Sequence, residues 1–311
     1  MPYQPITQAG VFTNQSKNII NANFAAIEDV DVWVRPQYGN NNGNGSAIYP
    51  LGSWQNPYAT MAGVSSRITP GLVIGLEGVL KEEYSTPIVN DVTIIGAASN
   101  LPRQATSGGV ANGGGATWLS PTSGTGALLT VNGQAWRIQN ILFNNSATAA
   151  PCIKPVTVGD PPTEADGQHL LIIGCNLTGS DDGIACPSGT NRVHIYYTTF
   201  ENFSGSGDIA ISAAGSIQTL YDWRIIGCTF RNNAANITAA LSNSTISGCT
   251  FENGTASNIN LTNGVAPNFV IGNAFNIAAA DFDPAGGTTG VTGDVWSNTL
   301  TDAIETGLPA N

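Results

Sequence analysis

Apolar and polar positions recur along this chain in one short phrase. Residues 225–230 read IIGCTF, 246–251 read ISGCTF and 172–177 read IIGCNL. Aligning on Ile-x-Gly-x-x-Phe adds IQNILF (138–143), IYYTTF (195–200), VIGNAF (270–275), VWSNTL (295–300) and a weaker copy, IIGAAS (94–99). The closing anchors Phe143, Leu177, Phe200, Phe230, Phe251, Phe275 and Leu300 lie 34, 23, 30, 21, 24 and 25 residues apart. A period near two dozen residues with occasional longer steps predicts a solenoid with loop insertions.

The alternation inside one copy predicts its conformation. The apolar runs are short, β-branched and aromatic, which suits strands. Ile225 faces in and Ile226 out; Gly227 takes a left-handed bend; then Cys228 faces in, Thr229 out and Phe230 in. Stacked copies of strand, bend and strand make an all-β fold, a right-handed parallel β-helix of about nine or ten coils. At ~4.8 Å per rung the rod is roughly 45 Å long. The bend column reads Asn140, Gly174, Tyr197, Gly227, Gly248, Gly272 and Ser297, with Tyr197 as the misfit. The next column reads Ile141, Cys175, Thr198, Cys228, Cys249, Asn273 and Asn298, mostly small or amide side chains. The column after the anchor reads Asn144, Thr178, Glu201, Arg231, Glu252, Asn276 and Thr301. It has no apolar member and is expected to face solvent.

Outside the coils the chain divides into three pieces. In residues 1–30, positions 14–30 read as a helix capped by Thr13 or Asn14, with an apolar stripe of Ile20, Phe24 and Ile27. Four turns are too short to stand alone, so the stripe packs either on the solenoid or on the same helix of two other chains. Its narrowness and its Asn18, Asn21 and Asn23 flanks suit a symmetric contact, so 1–30 is read as an attachment and oligomerisation segment. Residues 31–70 hold a first strand (31–39), a Gly/Asn-rich loop (40–56) and a helix (56–68) with Tyr58, Met61, Val64, Ser65 and Ile68 on one face. That helix is expected to cap the open end of the solenoid. Coils fill 71–302, with loops at 106–116, 155–167 and 278–292, and 303–311 is a tail.

Composition narrows the function. With a formal net charge of −11 and only 10 Lys+Arg among 311 residues, no basic patch for nucleic acid is expected. No apolar run of about 18 residues is present to span a membrane. The first residues, MPYQPITQAGVFTNQSK, lack the charged start and apolar core of a signal peptide. A low-charge surface without an export signal fits a virion protein, assembled in a cytoplasm and released by lysis. The five cysteines show no C-x-x-C spacing, and three share an interior column, so they read as buried small hydrophobes. A Cys228–Cys249 disulfide would need awkward geometry. No metal or cofactor is expected.

The repeated coils resemble the pectate-lyase-like right-handed β-helix superfamily. Two further phrases, VFTNQSKNIINANFAAIED (11–29) and GNNNGNGSAIYPLGSWQNPYATMAGV (39–64), are similar to the N-terminal regions of bacteriophage virion spikes and fibres. The resemblance covers most of the chain. It implies a head fibre, decoration protein or tail spike: a homotrimer joined to other virion proteins through residues 1–30, with contact to host-surface polysaccharide.

One stretch bears on catalysis. GSDDGIACPSG (179–189) is similar to the Asp-Asp stretch of polygalacturonases, with Asp181 and Asp182 at the two acids. Glycoside hydrolysis needs two carboxylates roughly 5–10 Å apart, and the resemblance implies a third Asp, a Gly-His-Gly and a basic motif from neighbouring coils. Counted from the anchors, the neighbours are Ala147 and Thr148 on one side and Ser204 and Gly205 on the other. The histidines, His169 and His194, fall on a different wall. Asp-Asp-Gly therefore reads first as a turn opening the strand IAC, although loops could deliver Glu164, Asp166 or Asp208. Arg192 is the nearest cation in sequence, and Arg137 and Arg224 align one residue before the Ile position. Glu201, Arg231 and Glu252 read as a salt ladder. Tyr196, Tyr197, Tyr221 and Trp223 cluster around two consecutive coils, as packing, a subunit contact or a carbohydrate platform.

Overall fold

A computed structural model describes residues 30–41, 50–97, 115–146, 149–156, 167–213, 220–252, 258–261, 264–276, 288–289, 294–300 and 304–306. The helix read at 14–30, with Ile20, Phe24 and Ile27, lies outside the described residues, as do Glu164 and Asp166.

The strands stack in parallel into a right-handed β-helix. One column of partners runs Val32, Ile74, Ile94, Ile138, Ile172, Ile195, Ile225, Ile246, Val270 and Trp296. A second, beyond the bend, runs Leu80, Trp118, Phe143, Leu177, Phe200, Phe230, Phe251, Phe275 and Leu300. Both belong to one 18-stranded sheet, and an eight-stranded sheet closes the coil. The inward column of that third face runs Tyr84, Leu129, Ile153, Ile184, Ile211, Ile237 and Ile259. Phe200, Phe230, Phe251 and Phe275 form a continuous stack with centroids 5.1, 4.8 and 4.6 Å apart and rings within 7° of parallel. The rung spacing sets this geometry, since identical side chains one rung apart have little choice but to stack.

Six of the seven bend positions behave as the sequence predicts; Ser297 instead lies inside the strand Val295–Leu300 and pairs with Ile271. Asn140, Gly174, Tyr197, Gly227, Gly248 and Gly272 all have φ between 50° and 65°. A further left-handed corner precedes the first face and is built mostly from residues other than glycine: Asp91, Ala135, His169, Arg192, Asp222 and Asn243, with φ between 47° and 58°. Each corner amide from Asp91 to Asp222 donates to a carbonyl of the next coil, Arg192 N–H to Tyr221 O at 3.0 Å for example. The inter-coil ladder therefore continues around the corner.

Four other details differ from the sequence reading. The copy at 94–99 is half right: Ile94 joins its column, but the partner of Phe143 is Trp118, because residues 98–114 intervene within that coil. In the last coil Trp296, not Val295, pairs with Val270, through a register shift between Ile271 and Ala274. The helix read over 56–68 is confined to Met61–Val64, followed by a 3-10 turn at Ser65–Arg67. Thr60 caps it by accepting from Gly63 N–H at 3.0 Å, while Tyr58 is still extended and bridges Val34. Met61 and Val64 are buried beside Val32, Val34 and Tyr84, closing the N-terminal end of the core. Finally, Asn144, Thr178 and Glu201 are buried rather than solvent-facing. Glu201 lies between the Asn176 amide (3.1 Å) and the Arg231 guanidinium (3.9 Å).

At the far end, Ile304–Thr306 pairs antiparallel with the Val295–Leu300 strand. An edge that would otherwise accept a strand from another molecule is thereby occupied. Among the described residues no helix is long and apolar enough to cross a membrane.

Candidate functional site

Two surfaces hold the chemistry that the sequence singles out. The first surrounds Asp181 and Asp182, just before the strand Ile184–Cys186. Asp182 Oδ1 accepts from Ile209 N–H at 2.9 Å, and its carbonyl accepts from Cys152 N–H at 3.0 Å. The side chain thus fastens one coil to the next. Burial pushes the Asp182 carboxyl up to about 6; the charges of Asp181 and Asp208 add to the rise, and the Ile209 amide opposes it. The neighbours expected by counting, Ser204 and Gly205, are displaced. Phe200 and Ile211 are eleven residues apart, whereas Leu177 and Ile184 are seven apart, and Asp208 arrives instead. Asp208 in turn accepts from Gly205 N–H at 2.7 Å. The described surroundings of the pair include no histidine, lysine or arginine within hydrogen-bond or ion-pair distance. No group of three or more His, Cys, Asp or Glu suited to a metal ion occurs among the described residues.

The second surface is the outward side of the first face and its left-handed corner. Arg137, Leu171, His194 and Arg224 occupy one outward column. Arg137 pairs with Asp91 at 3.4 Å and Arg224 with Asp222 at 3.6 Å. At the corner, Arg192 Nη1 lies 3.0 Å from His169 Nε2, and its guanidinium sits 5.5 Å from the Tyr221 ring centroid. Across the strand, Tyr196 lies 6.0 Å from His194 and 6.5 Å from Tyr197, centroid to centroid. Burial lowers the His194 imidazole below its ordinary value, and the Arg224 charge lowers it further. Both histidines of the chain and three of its ten Lys+Arg residues thus meet on one flank of a protein of net charge −11.

The four aromatics named from sequence separate here. Tyr197 and Tyr221 are exposed, at 69% and 38%, and Tyr196 is half-buried. Trp223 is fully buried and its indole N–H donates to Thr190 O at 2.8 Å, which removes it from any platform. It faces inward because it lies two residues before Ile225, on the same side of the chain. Arg192 and His169 are the partners that sequence reasoning left unconnected. They sit 23 residues apart on consecutive coils, and the common corner position is the signal that joins them.

The cysteines carry no site. All five are buried and free of disulfides. Burial pushes the Cys152 and Cys175 thiols up to about 12, far from the thiolate needed for nucleophilic chemistry. The Glu201, Arg231 and Glu252 column is a structural ladder, with Arg231 Nε donating to Glu252 at 2.9 Å.

No protein-family model matches the chain, and no curated protein sequence matches it. Among solved structures, ORF18 of Geobacillus virus E2 is similar with a TM-score of 0.35 and 10% identity, over 98% of this chain and 67% of that one.

Proposed function

We propose that this chain is a structural protein of a bacteriophage virion, a β-helical projection of the head-fibre, decoration or tail-spike kind whose flank meets glycans on a host surface. The observation that carries the reading is the division of labour between the two surfaces. The carboxylate best placed for glycosidic chemistry, Asp182, holds the Ile209 amide. The exposed flank instead presents tyrosines and basic side chains of the kind that stack on and hydrogen-bond to sugars. The phrases at 11–29 and 39–64 supply the virion part of the reading. In this reading residues 1–30 join three copies and attach them to other virion proteins, through the stripe Ile20, Phe24 and Ile27.

A second reading, a polysaccharide-degrading enzyme of the polygalacturonase-like type, has one observation in its favour. Asp181 and Asp208 both lie near Asp182, whose carboxyl burial pushes up to about 6, as suits a general acid.

Incubation with a panel of capsular and cell-wall polysaccharides separates the two. Retention without new reducing ends or unsaturated products is expected. Products that vanish in Asp182→Asn would establish the enzyme. Light scattering tests the assembly: a mass near three chains of 32.1 kDa is expected, and a clean single-chain mass at micromolar concentration would overturn it.

A further inference from the structure

Arg192 differs from its neighbours on the flank. Arg137 and Arg224 each have a carboxylate within 4 Å. Among the described residues Arg192 has none, and its described partners are the His169 ring nitrogen and the face of Tyr221. A guanidinium in that setting keeps most of its donor fork and all of its charge for something else. Two exposed rings belong to the same flank. Tyr221 precedes the corner on the next coil, its N–H fixed by Asn191 Oδ1 at 3.0 Å. Tyr197 follows the strand on the coil of Arg192 itself, its ring against Gly227 of the next coil, where a Cβ would lie 2.7 Å from the Tyr197 Cδ1 atom.

The backbone adds an independent observation. Arg192 has φ 56° and Tyr197 φ 50°. The other left-handed members of the Tyr197 column are asparagine and glycine, which tolerate that backbone, and the Arg192 column holds Asp91, Asp222 and Asn243 beside Ala135 and His169. Two bulky side chains accept the unfavourable conformation on the same coil and the same flank. Neither gains a buried position by it: Tyr197 is 69% exposed and Arg192 half-buried. The corner and the bend aim both side chains outward.

We infer that this flank is a binding surface for acidic glycan, with the Arg192 guanidinium taking a sugar carboxylate and the rings of Tyr197 and Tyr221 stacking on sugar faces to either side. The inference rests on the glycan-contact reading above and adds the class of sugar. A carboxylate suits the planar fork of arginine in a two-point contact. Local positive charge is also what admits a polyanion to a chain of net charge −11, since the overall field repels it. The contact is noncovalent, so no bond is made or broken.

The test uses the full chain and immobilised oligosaccharides of six to ten sugars: several uronate-bearing repeats, each beside its carboxyl-reduced neutral counterpart. At least one uronate-bearing probe is expected to bind, its reduced form at least about tenfold more weakly, the scale of one lost charged hydrogen bond. Raising salt should weaken only the acidic probe. Arg192→Asn should lose binding by a similar factor while unfolding at the same temperature or higher, because asparagine is at ease in the left-handed corner. Arg192→Lys should fall between, keeping charge without the fork. Equal retention of acidic and reduced forms would overturn the acidic-sugar inference and leave glycan contact standing. Undiminished binding by Arg192→Asn would move the site elsewhere on the rod. Retention of no acidic probe would overturn the inference, and failure of the neutral ones as well would take the glycan-contact reading with it.

Discussion

The Cys249 thiol lies 3.5 Å from the Ile225 carbonyl oxygen on the adjacent coil and 3.4 Å from that of Ser247 on its own, so its one proton has two acceptors. The same relation recurs along the column. Cys175 Sγ lies 3.7 Å from Ile138 O, with Ile173 O at 3.5 Å; Cys228 Sγ lies 3.6 Å from both Ile195 O and Ile226 O; and Asn273 Nδ2 donates to Ile246 O at 3.0 Å. In each case the carbonyl on the neighbouring coil belongs to the inward residue two before the bend. The column thus favours small side chains that carry a donor; Thr198 turns its hydroxyl to Tyr196 O of its own coil at 3.0 Å instead, and Ile141 is the member without a donor.

A substitution series follows from that rule. Cys249→Ser keeps a donor of nearly the same size and should cost less than Cys249→Val. The valine offers no proton to either Ile225 O or Ser247 O, a loss of about 0.5–1.5 kcal/mol. Urea unfolding of the two variants measures the difference. Equal stability would mean that the column is selected for size alone.

The anchor column sets a larger scale. Phe230→Ala or Phe251→Ala empties a fully buried position in the middle of a ring stack and should cost about 3–5 kcal/mol. Arg231→Ala should cost about 1–2 kcal/mol, more than an exposed ion pair. The reason is Glu201, whose side chain is only 4% exposed and would keep the Asn176 amide but lose its cation. Glu201→Gln combined with Arg231→Ala should recover part of that loss. No recovery would show that the arginine acts through packing alone.

These columns also mark what the sequence makes legible. From Ile138 to Phe275 the step from the first to the second column is five residues in every coil, for instance Ile195 to Phe200, so two faces can be read by eye. The third face hides because its distance from the anchor varies from four residues, Leu80 to Tyr84, to eleven, Phe200 to Ile211. Loops of different length enter at that corner, and a periodic search fails there. The coil of Ile94 and Trp118 hides for the same reason. The misfit of Tyr197 in the bend column is visible in sequence; the meeting of Arg192 with His169 and Tyr221 is not, since it depends on which corner residues of consecutive coils coincide.

Acid dependence follows from two carboxyls. Glu82 accepts from Met61 N–H at 2.6 Å and holds the capping helix. Burial pushes it up to about 7, and burial pushes Asp182 up to about 6. A carboxyl whose folded value is raised binds its proton more tightly in the folded state. Its contribution is therefore complete below the ordinary carboxylate range and is lost as pH rises through about 6 to 7. The rod should melt at a higher temperature at pH 5 than at pH 8. Glu82→Gln, which keeps the acceptor for Met61 N–H, should flatten that dependence by raising stability at pH 8. A steeper dependence in the variant would place the titration elsewhere.

Tyr197 offers the sharpest contrast between stability and function. It is a large aromatic at φ 50° in a bend column whose other left-handed members are asparagine and glycine, and such backbone strain costs about 1–3 kcal/mol when a bulky residue bears it. Some return comes from the ring lying against Gly227. Tyr197→Asn restores the residue type found at the same bend in Asn140. The variant should therefore unfold at the same temperature or slightly higher. A residue kept for stability would do the opposite, and a fall of several degrees on thermal unfolding would assign Tyr197 to packing. If the ring serves glycan, Tyr197→Asn should weaken retention on the glycan that the intact chain binds. Tyr197→Phe, which keeps the stacking face and loses only the hydroxyl, should retain most of it.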